Sequence, residues 1–164
     1  MFAAQYDSPL GKLLLTWEDQ GLTGIWFDRE IPDQAKQESH PVLRQTKLWL
    51  DAYFRGENPI PDLPLMPAGT PFQKQVWQLL LTIPQGKTKT YGNLAGEMAV
   101  ILGKEKMSAQ AVGQAVGKNP ISILIPCHRV VGANGQLTGY ASGLDRKSWL
   151  LRHEGRQIEN NIVL

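Results

Sequence analysis

The chain has 164 residues, 42% of them hydrophobic, with a formal net charge of +2. That length suits one ordinary domain or two small ones with a real core, and the composition excludes default disorder. No stretch approaches the roughly 18 apolar residues of a membrane span, so no membrane role is expected.

Charge is unevenly spread. Residues 1–64 carry 6 Lys+Arg and 10 Asp+Glu, a net of −4, whereas residues 65–164 carry 11 and 5, a net of +6. A basic half joined to an acidic half points to one half meeting a polyanion, although a short chain can show such asymmetry by chance. The start MFAAQYDSPLGK lacks a basic region followed by a long apolar run, so no signal peptide is expected. A single cysteine fits the reducing cytosol and excludes an internal disulfide or a thiolate-rich metal site. No metal and no cofactor are expected.

YDSPLG (6–11) reads as a turn between strands, and KLLLTWEDQG (12–21) with LTGIWFD (22–28) as a meander. Residues 29–41 read as a loop. Val42, Leu43, Leu48, Trp49, Leu50, Tyr53 and Phe54 approach helical spacing, ending at Gly56. NPIPDLPLMPAGTP (58–71) holds five prolines, a density that no helix or central strand tolerates. The domain boundary is placed there, giving a structural domain over 1–64 and a functional domain over 65–164.

Thr70, Pro71 and Gln73 make a helix start with a capping box, and Pro84 and Gly86 stop that helix. TKTYGNLAGEMA (88–99) resumes helical spacing. SAQAVGQAVGK (108–118) predicts a third helix capped by Ser108. These last two helices suit a helix-turn-helix. Ala109, Gly113 and Gly117 form a stripe of minimal side chains, which serves tight packing within the domain or close approach of a bulky partner. ISILIP (121–126) reads as a buried extended segment leading to Cys127. GANGQLTGYASGLD (132–145) reads as a loop around a short hairpin, and Asp145 as the cap of a last helix ending at Gly155. The fold class is therefore α+β: a small strand-rich domain, then a mainly helical one.

Cys127 stands in PCHRV. A thiol attacks only as its thiolate, so a reactive cysteine needs a base or positive surroundings. His128 follows directly, but neighbours in an extended segment point to opposite faces. A bridging water or a bend after Pro126 would close that gap. Glu154, in the last turn of the final helix where the dipole disfavours an anion, is available to orient the imidazole. On these residues alone a hydrolase, a redox sensor and a buried structural cysteine all remain open.

ILIPCHRVVG (123–132) resembles the active-site signature of the O6-alkylguanine-DNA alkyltransferases. The likeness continues through FQKQVW (72–77), IPQGKTKTYGNLA (83–95), AVGQAVGKNPI (111–121), GYASGL and KSWLLRHEG, in order and with family spacing. SPLG and LDAYFRG resemble the family's variable first domain.

The resemblance implies a monomeric repair protein that binds double-stranded DNA in the minor groove and flips a damaged guanine out of the stack. Cys127 would take the alkyl group onto its sulfur, once per molecule. His128 would deprotonate Cys127 through a water, with Glu154 holding the histidine. Tyr91 would crowd the 3′ phosphate and protonate the departing base, and Asn119 would brace the active-site turn. Gln110, the small residues Ala109, Ala111 and Gly113, and Arg129 would meet DNA. The carbonyls of Cys127 and Val130 would read the guanine amino group, with Tyr140, Ala141 and Ser142 lining the pocket.

Two positions depart from the family pattern. Gln110 stands where many relatives carry an arginine that fills the space left by the flipped base. Ser142 stands where relatives commonly have a glycine. Two other functions remain as alternatives: a non-catalytic sensor of alkylated DNA, which would lack the cysteine, and a helix-turn-helix transcriptional regulator.

Overall fold

The structure, a computed structural model, describes residues 1–164. The chain divides into two compact units, Met1–Ala68 with Pro120–Leu124, and Gly69–Asn119 with Ile125–Leu164. The architecture is α+β, strands first and helices after. None of the helices is long and apolar enough to cross a membrane.

The first unit holds the antiparallel meander β1 (Phe2–Ser8), β2 (Gly11–Glu18) and β3 (Gly21–Phe27), with β2 central. Every position of β2 from Leu13 to Trp17 is buried, so its pattern is a run instead of an alternation. Helix α1 (Pro41–Phe54) packs on the sheet through Val42, Trp49, Leu50 and Tyr53. The proline-rich stretch forms no regular element beyond an isolated bridge from Leu65 to Leu22.

The second unit begins with α2 (Pro71–Leu80), where the expected capping box is present. Thr70 Oγ1 accepts from the Gln73 amide at 3.1 Å, and Gln73 Oε1 accepts from the Thr70 amide at 2.9 Å. Lys89–Thr90 then forms the short strand β4, parallel to β5 (Val130–Val131). Helix α3 (Tyr91–Leu102) therefore starts later than its apolar spacing suggested, with Thr90 as cap in a second capping box with Asn93. Helix α4 (Ala109–Gly117) is capped by Ser108, whose hydroxyl accepts from the Ala111 amide. The Trp77 indole donates to the Ala115 carbonyl at 2.8 Å, tying α2 to α4. Helix α5 is Leu144–His153.

Three local expectations need correction. ISILIP is buried but not extended. Only Ile121 bridges to Ile25, and the chain then turns, with Ile123 at φ +70° and the Leu124 amide donating to the Ser122 carbonyl. Asn134-Gly135 does make a tight turn, both residues at positive φ, but no hairpin follows. Val130–Val131 pairs with β4 and Gln136 bridges to Ile162 instead. Asp145 is not the cap of α5: the cap is Gly143, with no side-chain bond, and Asp145 lies in the first turn.

One element had no counterpart in the sequence reading. The C-terminal residues form a hairpin of β6 (Ile158–Glu159) and β7 (Ile162–Val163) around Asn160-Asn161, both at positive φ. Val163 joins Val131, Leu137 and Leu151 in a small buried cluster, and the Leu137 amide donates to the Asn161 carbonyl. This hairpin buttresses the loop that follows the cysteine.

Candidate active site

Cys127, His128 and Arg129 form one 3-10 turn after Pro126. The turn folds the segment so that the three side chains need not alternate between faces. All three are buried, His128 completely. His128 Nε2 lies 2.6 Å from Glu154 Oε2, across 26 residues of sequence. His128 Nδ1 is buried and has no hydrogen-bond partner in the protein.

Arg129 corrects an expectation. Its side chain, expected at the DNA, turns inward. Its Nε donates to Glu154 Oε1 at 2.8 Å, an η nitrogen donates to Glu154 Oε2 at 3.1 Å, and another donates to the Ile83 carbonyl at 2.6 Å. Glu154 thus holds a bidentate arginine and a histidine at once. It stands one residue past α5 as the C-cap, where the helix dipole opposes it. The bidentate Arg129 charge and the hydrogen bond with His128 overcome that cost. Burial alone would raise its pKa, but His128 and Arg129 outweigh burial and hold the carboxyl well below the usual range. Burial pushes the His128 imidazole down, opposed by Glu154.

Asn119 follows α4 and is buried. Its Nδ2 donates to the Ile125 carbonyl at 2.8 Å, bracing the approach to Cys127. Burial pushes the Cys127 thiol up; hydrogen bonds from Asn119 and Tyr140 and the charge of Lys147 pull it back. The Tyr140 hydroxyl is raised well above its ordinary value by burial and by Cys127. Tyr91, first residue of α3, has its phenol raised by burial and by Cys127, while a hydrogen bond with Thr138 opposes the shift. Asn119, Tyr140, Tyr91 and Lys147 therefore act on the Cys127 thiol or feel its charge, and Glu154 holds the adjoining His128. Val130 is buried directly behind the turn.

Not every candidate joins that group. Ala141 is exposed and Ser142 half-buried, with the Ser142 carbonyl 3.5 Å from an Arg146 η nitrogen. Ala109 and Gln110 lie on the exposed side of α4, opposite its buried Val112, Ala115 and Val116. Gly113 faces the Tyr91 ring: a Cβ built there would stand 3.4 Å from it. The small stripe thus meets Tyr91 at one position and solvent at Ala109 and Gly117.

Lys147 is a residue that sequence reasoning passed over. It is completely buried in α5, and its Nζ donates to the Thr138 carbonyl at 2.5 Å and the Gly139 carbonyl at 3.2 Å. Burial lowers it to about 8, opposed by the charge of Cys127. The signal available was weak, a lone lysine in KSWLLRHE at a position that points inward only once the helix phase is known.

Residues 71–156 match the model of the 6-O-methylguanine DNA methyltransferase DNA-binding domain, and residues 1–67 match that family's ribonuclease-like domain. A methylated-DNA–protein-cysteine methyltransferase of Methanosarcina acetivorans is 47% identical over 160 residues, covering 94% of this chain and 99% of its own. One from Haemophilus influenzae is 40% identical, covering 94% and 86%. Among solved structures, Mycobacterium tuberculosis OGT in complex with DNA matches with a TM-score of 0.81 at 40% identity, covering 94% of this chain and 92% of that one. An O6-methylguanine DNA methyltransferase from Methanococcus jannaschii matches at 0.68 and 26% identity, covering 96% of both chains. The matches span both halves and nearly the whole length, and they carry the site turn with them: this chain belongs to the 6-O-methylguanine DNA methyltransferase family.

Proposed function

We propose that this protein repairs DNA by direct reversal, moving the alkyl group of O6-alkylguanine onto the sulfur of its own Cys127. The observation that carries the reading is the buried turn in which Cys127 adjoins His128, itself held 2.6 Å from Glu154. Glu154 fixes the imidazole through Nε2. That leaves Nδ1 as the nitrogen that accepts the thiol proton, through a bridging water. The thiolate's electron pair forms the S–C bond, the C–O6 bond breaks, and its pair stays with the base. Tyr91 supplies the proton that makes guanine a neutral leaving group. Its raised pKa keeps the phenol protonated at neutral pH, so the proton is present when the departing base needs it. The thioether has no path back to a thiol, so each molecule acts once.

The base has to leave the helix to reach a buried sulfur, at a cost of a few kcal/mol that weakened pairing reduces. The minor groove suits α4, whose outward side carries Ala109, Gln110 and Gly117 and lets the backbone come close to the sugars. In this reading the protein acts as a monomer on duplex DNA, Gln110 fills part of the space left by the flipped base, and Val130, Tyr140, Ala141 and Ser142 border the base pocket. The first domain has a structural role. A lone thiol fits a reducing compartment such as the cytoplasm. Cys127 distinguishes this chain from a sensor that binds alkylated DNA without chemistry.

The test is intact-mass and peptide analysis after mixing the protein with a duplex containing O6-methylguanine. A gain of about 14 Da, one methylene's worth of added mass, is expected on the peptide holding Cys127. An adduct on another residue, or repaired DNA with unmodified protein, overturns the reading.

A further inference from the structure

Outside the sulfur, the histidine and its carboxylate, the most unusual group in the second unit is Lys147. Lysine is almost never fully buried unless it is paired. Here no carboxylate pairs with it. Its ammonium is met by two backbone carbonyls, Thr138 O at 2.5 Å and Gly139 O at 3.2 Å. These carbonyls belong to the loop that also carries Tyr140, and Gly139 lies close to the Tyr91 hydroxyl, 3.6 Å from where a Cβ would stand. Two phenols that feel the charge of Cys127, Tyr91 and Tyr140, therefore lie close to the backbone that this lysine holds. Two carbonyls hold a cation by dipole alone and leave its charge unneutralised. The group nearby that gains a negative charge during the reaction is Cys127.

We propose that Lys147 is a positioning residue for alkyl transfer: its buried ammonium clamps the Thr138–Gly139 backbone beside the base pocket and acts as the counter-charge to the Cys127 thiolate. The inference rests on the reading of Cys127 as the acceptor. It assigns the lysine two connected tasks. Tying the two carbonyls to α5 fixes the loop from which Tyr140 reaches the sulfur. Holding a charge in a low-dielectric site favours the thiolate more than any exposed lysine could. The two charges act on each other: that of Lys147 draws the Cys127 thiol down, and that of Cys127 draws the lysine up. The other charged or titratable groups bearing on this pair are His128, Glu154, Tyr91, Tyr140 and Arg146, and the two ionise as a coupled pair within that set. Transfer of the alkyl group converts the thiolate to a neutral thioether, so Lys147 loses its counter-charge as the reaction ends.

The experiment exploits the single cysteine. Thiolate ultraviolet absorbance, with Cys127→Ser subtracted as the tyrosine background, titrates Cys127 alone. Lys147→Met removes the charge and keeps the length; Lys147→Arg keeps the charge. The thiolate midpoint is expected to rise by about one unit or more in Lys147→Met and to return towards the unmutated value in Lys147→Arg. Single-turnover transfer from an O6-methylguanine duplex should fall about tenfold at neutral pH in Lys147→Met and recover as the pH rises. An unchanged midpoint, or a rate loss equal at every pH, overturns the counter-charge and leaves only a loop tie. Should Lys147→Met fail to fold, side-chain NMR of Lys147 in the unmutated protein and in Cys127→Ser decides instead. The lysine midpoint should fall when the thiolate is removed, and no change overturns the proposal. These titrations contain no DNA, so their failure is separate from failure of the methyl transfer itself.

Discussion

His128 Nε2 and Glu154 Oε2 stand 2.6 Å apart with neither side chain open to solvent. Twenty-six residues of sequence separate them. The contact exists because the turn after Pro126 and the end of α5 converge, and because Arg129 grips the same carboxylate from the other side. Removing the Glu154 charge therefore has two effects. In Glu154→Gln, single-turnover transfer should fall by about 10²- to 10⁴-fold, the usual worth of a positioned base, with little change in DNA affinity. Arg129 would also face a neutral amide, and stability should drop by about 3 kcal/mol in urea unfolding. Transfer at the unmutated rate would make Glu154 a structural partner of Arg129 and nothing more.

The same pair fixes the acid response. Burial keeps His128 neutral in the folded protein, below its ordinary value of 6.5, so the unfolded chain binds that proton first. Glu154 is held below its ordinary 4.5 by His128 and Arg129 together, so here too the unfolded chain takes up the proton first. Both groups make stability fall as pH falls, starting near 6.5 with the histidine and steepening below 4.5 with the carboxylate. Urea unfolding at several pH values between 4 and 8 checks this. The steepening below 4.5 should be reduced in Glu154→Gln.

Tyr91 opens α3 beside the sulfur, and its phenol stays protonated through the working range. Tyr91→Phe should slow transfer by about 10²-fold while the duplex still binds. Rates and binding titrations on the same variant separate the two. Equal losses in both would make Tyr91 a DNA contact only.

Gln110 lies on the exposed side of α4, away from Val112, Ala115 and Val116. Gln110→Arg should tighten duplex binding by adding a charge-assisted contact. Gln110→Ala should slow transfer from duplex DNA more than from free O6-alkylguanine, because only a duplex has a gap to support. Equal losses on the two substrates would place Gln110 outside base flipping.

Asn119 donates to the Ile125 carbonyl from a buried position. Asn119→Ala would leave that carbonyl unpaired, at about 1–3 kcal/mol, and would release the approach to Cys127. Lower thermal stability together with slower transfer is expected; a stability loss with an unchanged rate would confine Asn119 to the fold.

What the sequence made legible followed from local rules. The cap at Thr70, the cap at Ser108, the proline-rich break and the meander each depend on residues within a few positions of one another, and each is present. The outward placement of Gln110 followed from helix phase. The failures were tertiary. ISILIP has strand composition, yet only Ile121 finds a strand edge, so the remainder turns. Arg129 reads as a basic residue beside a DNA-directed nucleophile, and only the position of Glu154 shows why it points inward. Lys147 is polar in sequence and completely buried in the fold, for carbonyls whose direction no pattern reveals. Asn160-Asn161 was a readable turn signal, but the strands beside it are only two residues each.

The central claim is that the Cys127 sulfur is the acceptor and is consumed. The most direct test counts repaired guanines when O6-methylguanine duplex is in excess over protein. The account predicts a plateau at one repaired guanine per active molecule, and none with Cys127→Ser. Continued repair beyond that plateau, or repair by Cys127→Ser, would contradict it.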